Sequence, residues 1–184
     1  TWLTLARGLA IAVVAGFATI ASPKGASAWA PGLLYALAAI GDGADGALAR
    51  RTRVSRVGAR LDVTTDAVGL FVAPLAGVRW GRLPPWYLAL AGAYPLFRLA
   101  LFARRALGLP TFADRLAPDP RARFFAGVQM TVVAAALFPV LPAALTWTAA
   151  TLAMLPTLAL FAREWQVATS SAAHGGARAQ RLDA

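Results

Sequence analysis

Apolar and polar positions along this chain fall into long blocks rather than a short alternation. Six apolar runs, at about 3–21, 29–49, 58–78, 86–107, 121–140 and 143–165, are separated by short polar or proline-bearing breaks. Each run is about 20 residues long, the length at which a helix rising ~1.5 Å per residue crosses a hydrocarbon core of about 30 Å. The breaks carry helix-ending chemistry: Pro23 and Gly25, then Gly81 with Pro84 and Pro85, then Gly108 and Pro110, then Pro142. Pro31 falls in the first turn of the second run, where proline is tolerated. Pro95 lies inside the fourth and is expected to kink it. The pattern predicts an all-α integral membrane protein of six transmembrane helices in one domain, 1–168. A small, polar, disordered tail is expected over 169–184. No internal repeat is visible.

Composition agrees with that class. Hydrophobic residues make up 59% of the chain, far above the share in a soluble domain. There is no cysteine, which excludes a disulfide framework and any thiolate metal site. The net charge of +10 would suggest nucleic acid on a soluble protein. Its distribution argues otherwise, and no nucleic-acid partner is expected. Arg50, Arg51, Arg53, Arg56 and Arg60 surround one connection, and Arg104, Arg105, Arg115, Arg121 and Arg123 another. The opposite side has Lys24, Arg79 and Arg82. Basic loops stay in the cytoplasm, so both termini and the 50–60 connection are placed there, on a multi-pass protein of the cell membrane. With Thr1 in place of a methionine, further residues are expected ahead of the chain. The first run followed by Ala26-Ser27-Ala28 has the outline of a signal peptide, but Arg7 inside it and the later runs favour a retained span. Six tryptophans, at 2, 29, 80, 86, 147 and 165, fall mostly near run ends as an interfacial belt.

The acidic residues change the picture most. Four of eight, Asp42, Asp45, Asp62 and Asp66, lie within the segment 41–69. Carboxylates inside apolar runs are costly and mark function. Asp42 and Asp45 are spaced i, i+3, and Gly58, Asp62 and Asp66 i, i+4, i+8, so each set forms one helix stripe. The short connection between the runs predicts antiparallel neighbours. Asp42 precedes Arg50 by eight residues and Asp66 follows Gly58 by eight, so both sit roughly 12 Å from the turn. Gly46, Ala49 and Gly58 are small and permit close approach. Four carboxylates converging there require protons or a hard divalent cation, Mg²⁺ or Mn²⁺.

The pattern Asp42-x2-Asp45-Gly46-x2-Ala49-Arg50-x7-Gly58-x3-Asp62-x3-Asp66 resembles the signature of the CDP-alcohol phosphatidyltransferases. That resemblance implies the six-helix CDP-alcohol phosphotransferase fold, commonly homodimeric among membrane lipids. It also implies transfer of a phosphatidyl group from a CDP-linked lipid such as CDP-diacylglycerol to a small alcohol acceptor, with release of CMP. Asp42, Asp45, Asp62 and Asp66 would be metal ligands, with Asp66 the general base as well. Asp45, Gly46, Ala49, Arg50 and Gly58 would line the nucleotide site. The motif does not choose the acceptor. Arginine-rich loops favour an anionic one, glycerol 3-phosphate or inositol phosphate, with Arg98, Arg104 and Arg123 as candidate phosphate contacts.

Leu3, Thr4 and Arg7 are similar to the N-x-L-T-x-x-R opening of phosphatidylglycerophosphate synthases, with Thr1 at the asparagine. The plainer reading of Arg7 is a positive-inside residue. Arg123, Gln129 and Met130 partly match a second stretch of those synthases, but Phe125 and Ala126 stand where lysine and threonine are expected. His174, in the tail, is far from any cluster. The alternative is a cation or proton transporter using the same carboxylates. The one-sided clustering and small-residue gap favour an enzyme.

Overall fold

In the computed structural model, residues 2–49, 56–109 and 120–169 are described, with backbone alone at 3, 44–49, 56–67, 94 and 98. These residues fold into six long helices, each on one predicted run: α1 (Trp2–Thr19), α2 (Ala30–Ala49), α3 (Arg56–Arg79), α4 (Leu88–Ala106), α5 (Pro120–Leu137) and α6 (Ala143–Thr169). Short 3-10 turns, Gly25–Trp29 and Pro85–Tyr87, lead into α2 and α4. No strand occurs among the described residues, so the all-α expectation stands. The expected disordered tail lies outside them, apart from Thr169 at the end of α6.

The ends follow from the sequence. α3 stops where Gly81 turns to φ 68°, and the Arg82 amide donates back to the Gly77 carbonyl at 2.8 Å. α4 stops the same way at Gly108, φ 68°, with the Leu109 amide on the Arg104 carbonyl at 2.9 Å. A left-handed residue at this position closes the last carbonyls of a helix, and only glycine adopts it without strain. The segments Pro85–Ala93 and Pro95–Ala106 meet at 45°, the kink expected at Pro95.

Large apolar side chains lie on the outer surface as well as in the core. On α1 the residues facing inward are Thr4, Arg7, Ile11, Val14 and Ala18, while Leu5, Leu9 and Val13 face out. On α2, Tyr35 and Ala38 are buried, and Leu33, Leu37 and Ile40 are exposed. The helices touch through small residues. Ala73, Ala76, Ala136 and Ala150 are all 0% exposed, which lets backbones close up as they do in membranes. By length and apolarity alone, α6 is a candidate membrane span and the bent pair around Pro95 a second. The other helices fall short of that test among the described residues. Thr4–Thr19 of α1 and Val68–Arg79 of α3 are apolar but shorter than a span among the described residues.

One end of the bundle is stitched. Arg82 Nη1 donates to the Leu141 carbonyl at 2.7 Å, Trp147 Nε1 to the Gly81 carbonyl at 3.0 Å, and Thr146 Oγ1 to the Arg82 carbonyl. Trp80 Nε1 reaches the Ile20 carbonyl at 3.3 Å, and Trp86 packs edge-on against Trp147 at 5.5 Å. These bonds tie the α1 end to the α3–α4 and α5–α6 turns. A Cβ on Gly77 would sit 2.7 Å from Cδ1 of Leu83, which is 0% exposed and cannot yield. Gly77→Ala is therefore expected to lose about 1 kcal/mol, the overpacking cost outweighing the gain in helix propensity. Gly16→Ala, which meets nothing within 4 Å, should lose none. Thermal unfolding in detergent compares the two.

Candidate active site

The site is built by α1 as much as by the motif helices. α1 packs against both α2 and α3, and among the described residues it is the principal neighbour of each. Its inward stripe delivers Arg7 to Asp42, with Nη2 3.0 Å from Oδ1. The Arg7 side chain is 3% exposed and that of Asp42 36%. A guanidinium this deep needs partners for its charge, and Asp42 supplies one where α1 packs on α2. The expectation that Arg7 is an ordinary positive-inside residue is thus corrected: it is buried inside the bundle and ion-paired. The sequence signal was present in Thr4 and Arg7, spaced i, i+3 opposite the outward Leu5, Leu9 and Val13.

Beneath the pair lies a void of about 10 Å³ lined by Arg7, Ile11, Tyr35, Ala38, Ala39, Gly69, Leu70 and Met130. That is the lower edge of what one water occupies. Four helices, α1, α2, α3 and α5, meet there. α1 comes close to α3 because residue 69 is glycine: a Cβ there would lie 2.8 Å from Cδ1 of Ile11.

The backbone places the other motif positions. Asp45, Gly46 and Ala49 complete α2 beyond Asp42, and Gly58, Asp62 and Asp66 lie along the first half of α3. Position 66 is followed at i+3 and i+4 by Gly69 and Leu70, which border the void under Arg7. The side chains of Asp45, Gly46, Ala49, Gly58, Asp62 and Asp66, and all of Arg50, lie outside the described residues. The expected convergence of four carboxylates falls on that stretch, and no group of three metal-ligating side chains occurs among the described residues.

The candidate acceptor arginines are spread out. Arg104 is half-buried in the last turn of α4, 6.0 Å from the Trp165 ring on α6. Arg123 is exposed in the first turn of α5, and of Arg98 only the backbone, within α4, is described. A cavity of about 800 Å³ opens between α3, α4, α5 and α6, lined largely by apolar groups such as Leu70, Phe71, Leu90, Val133 and Phe161. Leu70 borders both this cavity and the void beneath Arg7. Its polar lining is Tyr87, Gln129, Thr157 and Glu164. The Tyr87 hydroxyl donates to Gln129 Oε1, and Gln129 Nε2 donates to the Ala153 carbonyl at 2.6 Å and Thr157 Oγ1 at 3.0 Å. Sequence reasoning noted Gln129 only as part of a resemblance and passed over Tyr87 and Glu164. Glu164 had a signal of its own, as the one acidic residue in the last apolar run.

The family model of the CDP-alcohol phosphatidyltransferases matches residues 1–170. The chain belongs to that family. No curated protein and no solved structure matches it. As a CDP-alcohol phosphatidyltransferase, the protein is a phosphotransferase of phospholipid biosynthesis from a membrane-integral family, moving a phosphatidyl group from a CDP-alcohol to an acceptor. The transporter alternative is set aside with that assignment. The family generally uses divalent metal ions. The described part of the site fits one. Asp42 meets Arg7 through Oδ1, and a third of its side chain is open.

Proposed function

We propose that this CDP-alcohol phosphatidyltransferase uses CDP-diacylglycerol or a similar CDP-linked lipid as donor and a small phosphorylated alcohol as acceptor. Glycerol 3-phosphate and inositol phosphate are the favoured acceptors. The observation that supports this reading is the Arg7–Asp42 pair, which sets the first motif carboxylate at the meeting of α1 and α2 with a third of its side chain exposed. All six helices span the membrane with outward leucines against lipid. The basic α2–α3 connection faces the cytoplasm, where a nucleotide-linked headgroup is presented.

Asp42, Asp45, Asp62 and Asp66 hold Mg²⁺ or Mn²⁺. A divalent ion in that place neutralises charge developing on the pyrophosphate. Gly46, Ala49 and Gly58 leave room for the cytidine group, Asp45 borders it, and Arg50 meets a phosphate. Asp66 takes the proton from the acceptor hydroxyl, whose oxygen attacks the phosphorus as the bond to CMP breaks. Arg98, Arg104 and Arg123 bind the acceptor phosphate, with Arg104 the best placed because Trp165 holds it half-buried. The protein acts as a homodimer.

The test is CMP release from CDP-diacylglycerol by purified protein with Mg²⁺ or Mn²⁺ and a panel of acceptors: glycerol 3-phosphate, inositol phosphate, inositol, serine and choline. The expected result is metal-dependent CMP release with one phosphorylated acceptor. Turnover with an uncharged alcohol instead would remove the three arginines from the acceptor site. Turnover in the presence of EDTA would remove the metal.

A further inference from the structure

Nothing in the transfer chemistry above uses Arg7, yet it is the most deeply buried charge described. The geometry points to Arg7 as the positioning residue of Asp42. By gripping Oδ1 it fixes the carboxylate that the divalent ion would meet. This rests on the proposed metal role of Asp42.

Three observations carry it. The pair is asymmetric: Arg7 is 3% exposed and Asp42 36%, so the guanidinium is the fixed member and the carboxylate the one being held. The contact is close, with Nη2 of Arg7 3.0 Å from Oδ1 of Asp42, within hydrogen-bond distance. Arg7 also borders the void that Ile11, Tyr35, Ala38 and Leu70 line from three helices, so its guanidinium is enclosed by the bundle. Outer groups that orient a ligating carboxylate commonly contribute 10–100-fold to metal affinity or activity, and this is the arrangement they adopt.

The rival account predicts the opposite sign. A mere counter-charge repels an incoming cation, so its removal would tighten metal binding. A purely architectural role would lower the melting temperature and leave the metal affinity of the folded protein alone.

Mn²⁺ titration followed by electron paramagnetic resonance on the detergent-purified protein separates these, with thermal unfolding as the folding check. Arg7→Met is expected to raise the Mn²⁺ dissociation constant about 10–100-fold. Arg7→Lys, which keeps charge but not the fork, should recover part of that loss. If Arg7→Met does not fold, Arg7→Gln takes its place. Binding that is unchanged or tighter in these variants, while Asp42→Asn abolishes it, overturns the positioning role and leaves the metal site standing. Wild-type protein that binds no Mn²⁺, or binding that survives Asp42→Asn, overturns the metal role of Asp42 and this inference together.

Discussion

Asp66→Asn is expected to slow CMP release by about 10²–10⁴-fold, the range that removal of a positioned general base produces. The amide has the shape of the carboxylate but cannot accept the acceptor's proton. Folding should be little affected, because the substitution is isosteric and position 66 lies within the continuous helix Arg56–Arg79. The affected quantity should be kcat rather than the KM for the CDP-lipid, since a base acts on the hydroxyl in the transition state and adds nothing to ground-state binding of the nucleotide. Asp62→Asn provides the contrast. If position 62 is chiefly a metal ligand, its loss weakens Mn²⁺ binding, and excess metal should restore part of the activity. Metal should rescue Asp66→Asn far less, because added ion offsets the lost ligand but not the lost base. Retention of more than a tenth of wild-type turnover by Asp66→Asn would move the base to another group.

The helices were legible because helix ends are local. Gly81, Gly108, Pro120 and Pro142 each punctuate the chain where a helix begins or stops. The six apolar runs fall on the six helices, with shifts of a few residues; α6, for example, continues to Thr169 past the expected Trp165. The motif positions fall on α2 and α3 for the same reason, while the expected convergence of their carboxylates lies outside the described residues. The pairing of Arg7 with Asp42 was not legible. It depends on the angle at which α1 crosses α2, a tertiary quantity with no local code, across 34 intervening positions. The same holds for Gln129, whose partners are Tyr87 on one side and Thr157 on the other.

Gln129→Leu is expected to lower stability by about 2 kcal/mol, read as a fall in melting temperature of about 4–8 °C for a chain of this size. Gln129 is 4% exposed and joins three helices: it accepts from Tyr87 just before α4 and donates to Ala153 and Thr157 on α6. Hydrogen bonds between membrane helices average only about 0.6 kcal/mol each, so losing three costs about 2 kcal/mol at most. The partners left behind differ in what they lose. Thr157 can turn its hydroxyl to the Ala153 carbonyl one turn back, as Thr151 does to Trp147 at 2.8 Å, so it finds another acceptor at little cost. Tyr87 has no such exit. It is 1% exposed, and a buried hydroxyl deprived of its acceptor costs about 1–3 kcal/mol. The loss should therefore sit mainly on Tyr87, and a double-mutant cycle can locate it. Tyr87→Phe in the Gln129→Leu background removes the orphaned hydroxyl and should recover about 1 kcal/mol, giving a coupling energy in the 0.5–3 kcal/mol range of directly bonded pairs. Strict additivity of the two substitutions would mean that water entering the adjoining 800 Å³ cavity already satisfies Tyr87. That space would then be a wet chamber next to the site rather than an apolar one.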